Sequence, residues 1–325
     1  MVGLKRLIAA SWILVAGAGL AQAQYPERPI TLIVPFAAGG GTDAIARIVA
    51  EHMTRTLKQS VTVENVGGAG GAIAARRLAQ SPPDGYTLMI GNMGTHAAAP
   101  SIYANLKYDP VADFTAIGLT AGVPTVLVIR KDFPAGTLRQ FVDFVKRNEK
   151  TVNEAHAGVG GSAHLTCTLL QSIMGTMTGR VAYRGLGPGL NDMMSGQIDF
   201  TCASLSGVVS HIQAGSVRAL AIAGPKRVDL VADVPTAREG GLPEFDAPNW
   251  NAIFAPRNLP VVLVATLNDA IGKALDDERT RKRLLDLGSE IPDRTERTPQ
   301  FLHTFVKAEV THWSMVLKAA GVAPN

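Results

Sequence analysis

Charge is scarce in this sequence. Asp, Glu, Lys and Arg make up 18% of it against 46% hydrophobic residues, and no basic cluster interrupts the chain. That balance excludes a disordered chain and describes a well-packed globular protein. The missing basic patch excludes nucleic acid as a partner. Metal-ligand spacing is also missing: the seven histidines are scattered, and none forms an HExxH pair. His303 and His312, with Glu309 between them, match no ligand pattern. Neither a metal nor a cofactor is expected. No apolar run beyond the N-terminus is long enough to span a bilayer, which takes roughly 20 residues.

What is present begins with residues 1–23, which read as a secretory signal. Lys5 and Arg6 start it, Leu7 to Leu20 form its apolar part, and Ala21-Gln22-Ala23 offers small residues for cleavage. A membrane anchor is the alternative, disfavoured by the short apolar part. The mature chain is expected to begin near Gln24, exported to the periplasm. Losing Lys5 and Arg6 lowers the formal charge of +4 by two. About 300 mature residues suggest roughly two domains.

The pattern alternates strand and helix, which predicts an α/β protein with a largely parallel sheet. Strands are expected at 29–34, 61–65, 87–91, 124–130, 179–183, 198–203 and 217–223. Ile45, Ile48, Val49, His52 and Met53 share one helical face, and Leu165, Leu169, Leu170, Ile173 and Met174 share another. PPDGY (82–86) is a turn by its chemistry. LPEFDAPNWNAIFAPRNLP (242–260) has four prolines and no helical period, so it reads as a surface connector. Helices follow from about Val261 to Lys318. The expected division is 24–124 with 248–325 as one lobe and 125–247 as the other. The crossings fall near Gly122–Thr125 and Ala247–Trp250.

Two glycine turns echo each other. Gly40-Gly41-Thr42 opens one amphipathic helix and Gly160-Gly161-Ser162 another. Thr or Ser can cap each helix, and the glycines leave backbone N–H groups uncovered for an anion. Three other readings compete. Gly39 to Ala44 satisfies GxGxxA with Glu64 following, as a dinucleotide-binding oxidoreductase would. However, Pro35 to Ala38 intervene where a tight turn is needed, and an exported protein meets little NAD. Gly160-Gly161-Ser162-Ala163-His164 resembles half a hydrolase elbow, but positions two apart on a helix do not face each other. A structural or adhesive protein is the third alternative. Holding an anion without reacting fits best.

Taken together, PFAAGGGTDAIAR (35–47), VENVGGAGG (63–71), PPDGYTL (82–88) and YDPVADF (108–114) form one ordered set. GVGGSAH (158–164), AYRGLGPGLNDMMSGQIDF (182–200), VPTAREGGLP (234–243) and the Trp313 segment continue it. Over essentially the whole mature chain, the set resembles the extracytoplasmic solute-binding proteins of tripartite tricarboxylate transporters, the Bug or TctC-like family. Ala37-Ala38 and a third glycine in the first loop depart from its pattern. The resemblance implies two Rossmann-like lobes with a hinge, like the type II periplasmic binding proteins. It implies capture of an organic carboxylate, often a dicarboxylate, and delivery to membrane permease subunits by a monomer.

For the site, the resemblance implies Phe36, Ala37, Gly39, Gly40 and Thr42, with Asn65, Gly68, Gly70, Asn92 and Thr95, on the first lobe. On the second it implies Gly160, Gly161 and Ser162, then Tyr183, Arg184 and Gly185, with Asp199 nearby. His164 is a first-turn helix residue that can line the pocket. Blander roles stand beside these. Asp43 and Arg47, four apart, suit a helix ion pair. Tyr183 suits the core, and Asp199 suits a role orienting the Arg184 loop. Cys167 and Cys202 both fall in the second lobe, and export permits a disulfide between them. Two buried free thiols are the alternative.

Overall fold

A computed structural model describes residues 25–247, 249–322 and 324; the expected signal segment, 1–23, lies outside them. The chain starts as β1 (Ile30–Val34), α1 (Gly41–Leu57), β2 (Val61–Asn65), α2 (Ala72–Ala79), β3 (Thr87–Asn92), α3 (Ala99–Ile102) and β4 (Phe114–Val123). It continues as β5 (Thr125–Arg130), α4 (Leu138–Asn148), β6 (Asn153–His156), α5 (Ser162–Met174), β7 (Gly179–Ala182), α6 (Leu186–Met194), β8 (Phe200–Ser204), α7 (Val209–Gln213) and β9 (Val217–Ala223). It ends with β10 (Asn249–Pro256), α8 (Val261–Asp276), α9 (Glu278–Leu285) and α10 (Pro299–Ala319).

These strands form two five-stranded sheets, ordered β2-β1-β3-β10-β4 and β7-β6-β8-β5-β9. Each sheet with its helices makes one α/β lobe. Neither sheet is purely parallel, which corrects the largely parallel expectation. β10 runs antiparallel between β3 and β4, and β5 runs antiparallel between β8 and β9. The reason is topological. The other strands end where the two lobes meet, whereas β5 and β10 each enter their sheet from that side, so each must run back.

β10 supplies a second correction. NWNAIFAP, read as surface connector, is a wholly buried strand in the middle of the first sheet. A strand buried on both faces shows no alternation, and its flanking prolines mimic loop composition. β4 and β6 were also not expected. β6 reads Asn-Glu-Ala-His, a polar run that nonetheless carries a fully buried Glu154.

The expected helical stripes are the packed ones. Ile45, Ile48, Val49 and Met53 of α1 are buried, while His52 is half-buried. On α5, Leu165, Leu170 and Met174 are buried, with Leu169 and Ile173 half-buried. Burying one such aliphatic side chain contributes about 1.5–3 kcal/mol. α8 packs on α1 and β4, and α10 on β4 and α3, so the C-terminal helices complete the first lobe. Cys167 of α5 and Cys202 of β8 are joined by a disulfide, Cα–Cα 5.4 Å. It ties the second-lobe helix to its sheet.

Candidate ligand-binding cleft

The first wall is the turn from β1 into α1. Gly40, with extended backbone, is the N-cap of α1, and no side chain caps the helix. The expected threonine cap is therefore a glycine, with Thr42 in the first turn. The first intrahelical bond runs from Ala44 N to Gly40 O, 3.0 Å. Thus the N–H groups of Gly41, Thr42 and Asp43 have no partner within the helix.

A polar brace fixes this turn from behind. Asp43 Oδ2 accepts from Gly39 N and from Arg47 Nε, each at 3.0 Å. Asn65 Nδ2 donates to Asp43 Oδ1 (2.9 Å) and to Phe36 O (3.0 Å). Burial pushes the Asp43 carboxyl up, but hydrogen bonds from Arg47, Asn65 and Gly39 outweigh it and hold the group below its ordinary value. Asp43 and Arg47 are thus the helix ion pair expected from their spacing. Asn65 shapes the loop from outside the cavity.

The second wall repeats the design. Gly161 is the N-cap of α5, again without side-chain capping, so Ser162 is the first helical residue and not the cap. Leu165 N donates to Gly161 O at 3.0 Å, which leaves the N–H groups of Ser162, Ala163 and His164 free of intrahelical partners.

The two walls meet. Ala37 N donates to Arg184 O at 3.0 Å across the cleft, and the Tyr103 hydroxyl donates to Val159 O. Glycine is required where backbones touch: a Cβ on Gly70 would lie 2.0 Å from Val159 O. Between the walls is a cavity of about 40 Å³ lined by Phe36, Gly41 and Thr42 from one lobe and Ser162, Leu186 and Ser204 from the other. The only ionisable group among its described lining residues is the already compensated Asp43. Positive potential there comes from the two helix ends, each contributing roughly 0.3–1 kcal/mol to a nearby anion and up to ~2 when partly buried.

Phe36, Gly40, Thr42 and Ser162 line this cavity. Ala37, Gly70, Gly160, Gly161, Arg184 and Gly185 form the surrounding lobe contact, Arg184 through its backbone carbonyl while its side chain is exposed. Gly39 braces Asp43, and Gly68 abuts Ile73 within its own lobe. Asn92 and Thr95 fold into a buried turn, Thr95 N donating to Asn92 Oδ1 at 3.2 Å. The Tyr183 hydroxyl donates to Asp192 at 2.6 Å. Burial, then Asp192, pushes that phenol up to about 12.

Two expectations are corrected. Asp199 does not reach the Arg184 loop: it accepts from Arg130 Nε (2.9 Å) and Asn153 N (2.8 Å), at the end of β8 away from the cleft. A carboxylate beside an arginine on the neighbouring strand has no need of a distant loop. His164 does not line the cavity either; it is buried, and its Nδ1 accepts from Gly160 N at 3.3 Å. Burial first, then His156 and Arg180, lowers its pKa to about 3.

Leu186, Ala203, Ser204 and Ser206 went unrecognised, since small and aliphatic residues carry no chemical signature. The usable signal was positional, because α/β sheets bind ligands beyond the carboxyl ends of their strands and Ser204 ends β8. Glu64, the acid required by the dinucleotide reading, is held by Arg77 at 2.6 and 2.7 Å.

Comparison with known proteins decides the family. The family model described as tripartite tricarboxylate transporter family receptor (TctC) matches residues 45–322. The chain belongs to that receptor family. MatC from Rhodopseudomonas palustris, solved with bound malate, is 41% identical with a TM-score of 0.88, covering 90% of this chain and 100% of its own. BugD, a periplasmic binding protein, is 37% identical with a TM-score of 0.90, over 93% of this chain and 100% of its own. A further R. palustris protein, solved with adipate, is 32% identical with a TM-score of 0.88, over 93% and 100%. This chain is therefore a solute-binding receptor of the TctC and Bug type.

Proposed function

We propose that this protein, exported through residues 1–23, holds a small organic diacid between its lobes and passes it unchanged to the membrane subunits of a tripartite transporter. The observation that carries this reading is the pair of uncapped helix ends, at Gly41–Asp43 and Ser162–His164, aimed at one cavity between the lobes. Each end suits one carboxylate, and the malate and adipate seen in similar proteins have two. Phe36, Gly40, Thr42 and Ser162 form the contact set, with Ala37, Gly70, Gly160, Gly161, Arg184 and Gly185 closing over it. The lobes are 24–124 with 248–325, and 125–247. Passage of the solute unchanged is supported by His164, which offers Ser162 no base through Nδ1 because that nitrogen is taken by Gly160 N–H. A thermal-shift screen of the mature protein against malate, adipate and related acids tests the reading. A ligand at 100 times its Kd adds about 2.7 kcal/mol. No shift with any small acid, or chemical change of the one that binds, contradicts it.

A further inference from the structure

Beneath the second-lobe glycine loop lie two histidines with matching bonds. Gly158 N donates to His156 Nδ1 at 3.2 Å, and Gly160 N donates to His164 Nδ1 at 3.3 Å. The rings are both buried, edge to face, with centroids 4.8 Å apart. Gly158 and Gly160 have φ of +105° and +78°, a backbone held in place by these bonds. A ring nitrogen accepts only without its proton, so each ring must be neutral and protonated on Nε2.

We infer that His156 and His164 are positioning residues that keep the glycine loop in its binding shape only while both are neutral, so acidification weakens the grip on a bound anion. This rests on the diacid reading above. Protonating either ring would set an N–H against the loop's own N–H donor. The charged neighbour is Arg180 on β7, which opposes a second positive charge. Glu154 on β6 lies 3.8 Å from Arg180, its carboxyl pushed up to about 8 by burial and so largely protonated over the range tested. Tyr103 of the first lobe covers Gly160, and Gly70 covers Gly158. On this inference, parting the lobes lifts Tyr103 and Gly70 off the loop, and rings then reached by water return toward the ordinary histidine value of about 6.5. Burial lowers both in the contacted form. The open form therefore takes protons first, and the closed form loses ground as pH falls below 6.5. A histidine touching the carboxylate directly would do the reverse.

The test is calorimetric affinity for malate from about pH 8 to about pH 6. The expected weakening is about fourfold if one ring titrates on opening and about sixteenfold if both do. His156→Asn and His164→Asn keep an acceptor oxygen without titrating, and each removes its share of the slope. Glu154→Gln leaves the slope in place. A flat wild-type profile, or tighter binding in acid, overturns the inference. Failure of malate and adipate to bind at any pH fails the functional reading instead, and ring-nitrogen NMR then decides. Neutral rings with unprotonated Nδ1 near ~pH 8 that take up a proton there as the pH falls toward ~6 support the inference. A neutral ring carrying its proton on Nδ1, or rings that do not titrate in that range, overturn it.

Discussion

Gly41 and Ser206 meet across the cleft with no room for a methyl group. A Cβ on Gly41 would lie 2.1 Å from the Ser206 hydroxyl oxygen and 3.0 Å from Gly207 N. Gly41 is the first residue of α1, so alanine there suits the helix itself. The conflict exists only when the lobes touch.

Gly41→Ala should therefore leave the melting temperature of the unliganded protein near the wild-type value while weakening diacid binding about tenfold or more. The double variant Gly41→Ala/Ser206→Gly should recover part of the loss. Unchanged affinity in the single variant would show that this contact plays no part in closure.

The Cys167–Cys202 disulfide closes a loop with a sequence separation of 35. In the chain-entropy account a loop of that size stabilises by about 3–4 kcal/mol. Denaturant melts with and without reductant should differ by about that amount. Alkylation of two thiols in denatured, unreduced protein from the periplasm would contradict the bond.

Glu154 gives the second lobe a pH dependence of its own. Burial pushes its carboxyl up to about 8, against a lowering by Arg180 and by Gln171. The folded state thus holds a proton that the unfolded state releases above its ordinary 4.5. Stability from this group is full below 4.5 and declines as pH rises toward 8, by at most about 1.4 kcal/mol per pH unit. Glu154→Gln should flatten that decline and raise stability near ~pH 8. A steeper decline in the variant would refute the assignment.

The sequence made the two-lobe plan legible where physics leaves a periodic trace. Ile45, Val49 and Met53 mark a helix with one buried face, and the run ITLIV marks a buried strand. β10 left no such trace, being buried all round and bracketed by prolines. The same divide runs through the site. Gly40 and Gly161 were visible because glycine before an amphipathic helix exposes backbone N–H groups. Leu186 and Ser204 were not, because their role comes from where the chain folds. Asp199 misled for the opposite reason: a carboxylate draws attention, yet this one is committed to Arg130.

The central claim is that two opposed helix ends hold two carboxylates of one small molecule. Calorimetry comparing the diacid that gives the largest thermal shift with its half-amide tests it most directly, because the half-amide keeps the shape and removes one charge. The account predicts a loss of at least ~10-fold in affinity on removing either carboxylate charge. Equal affinity for diacid and half-amide would contradict it.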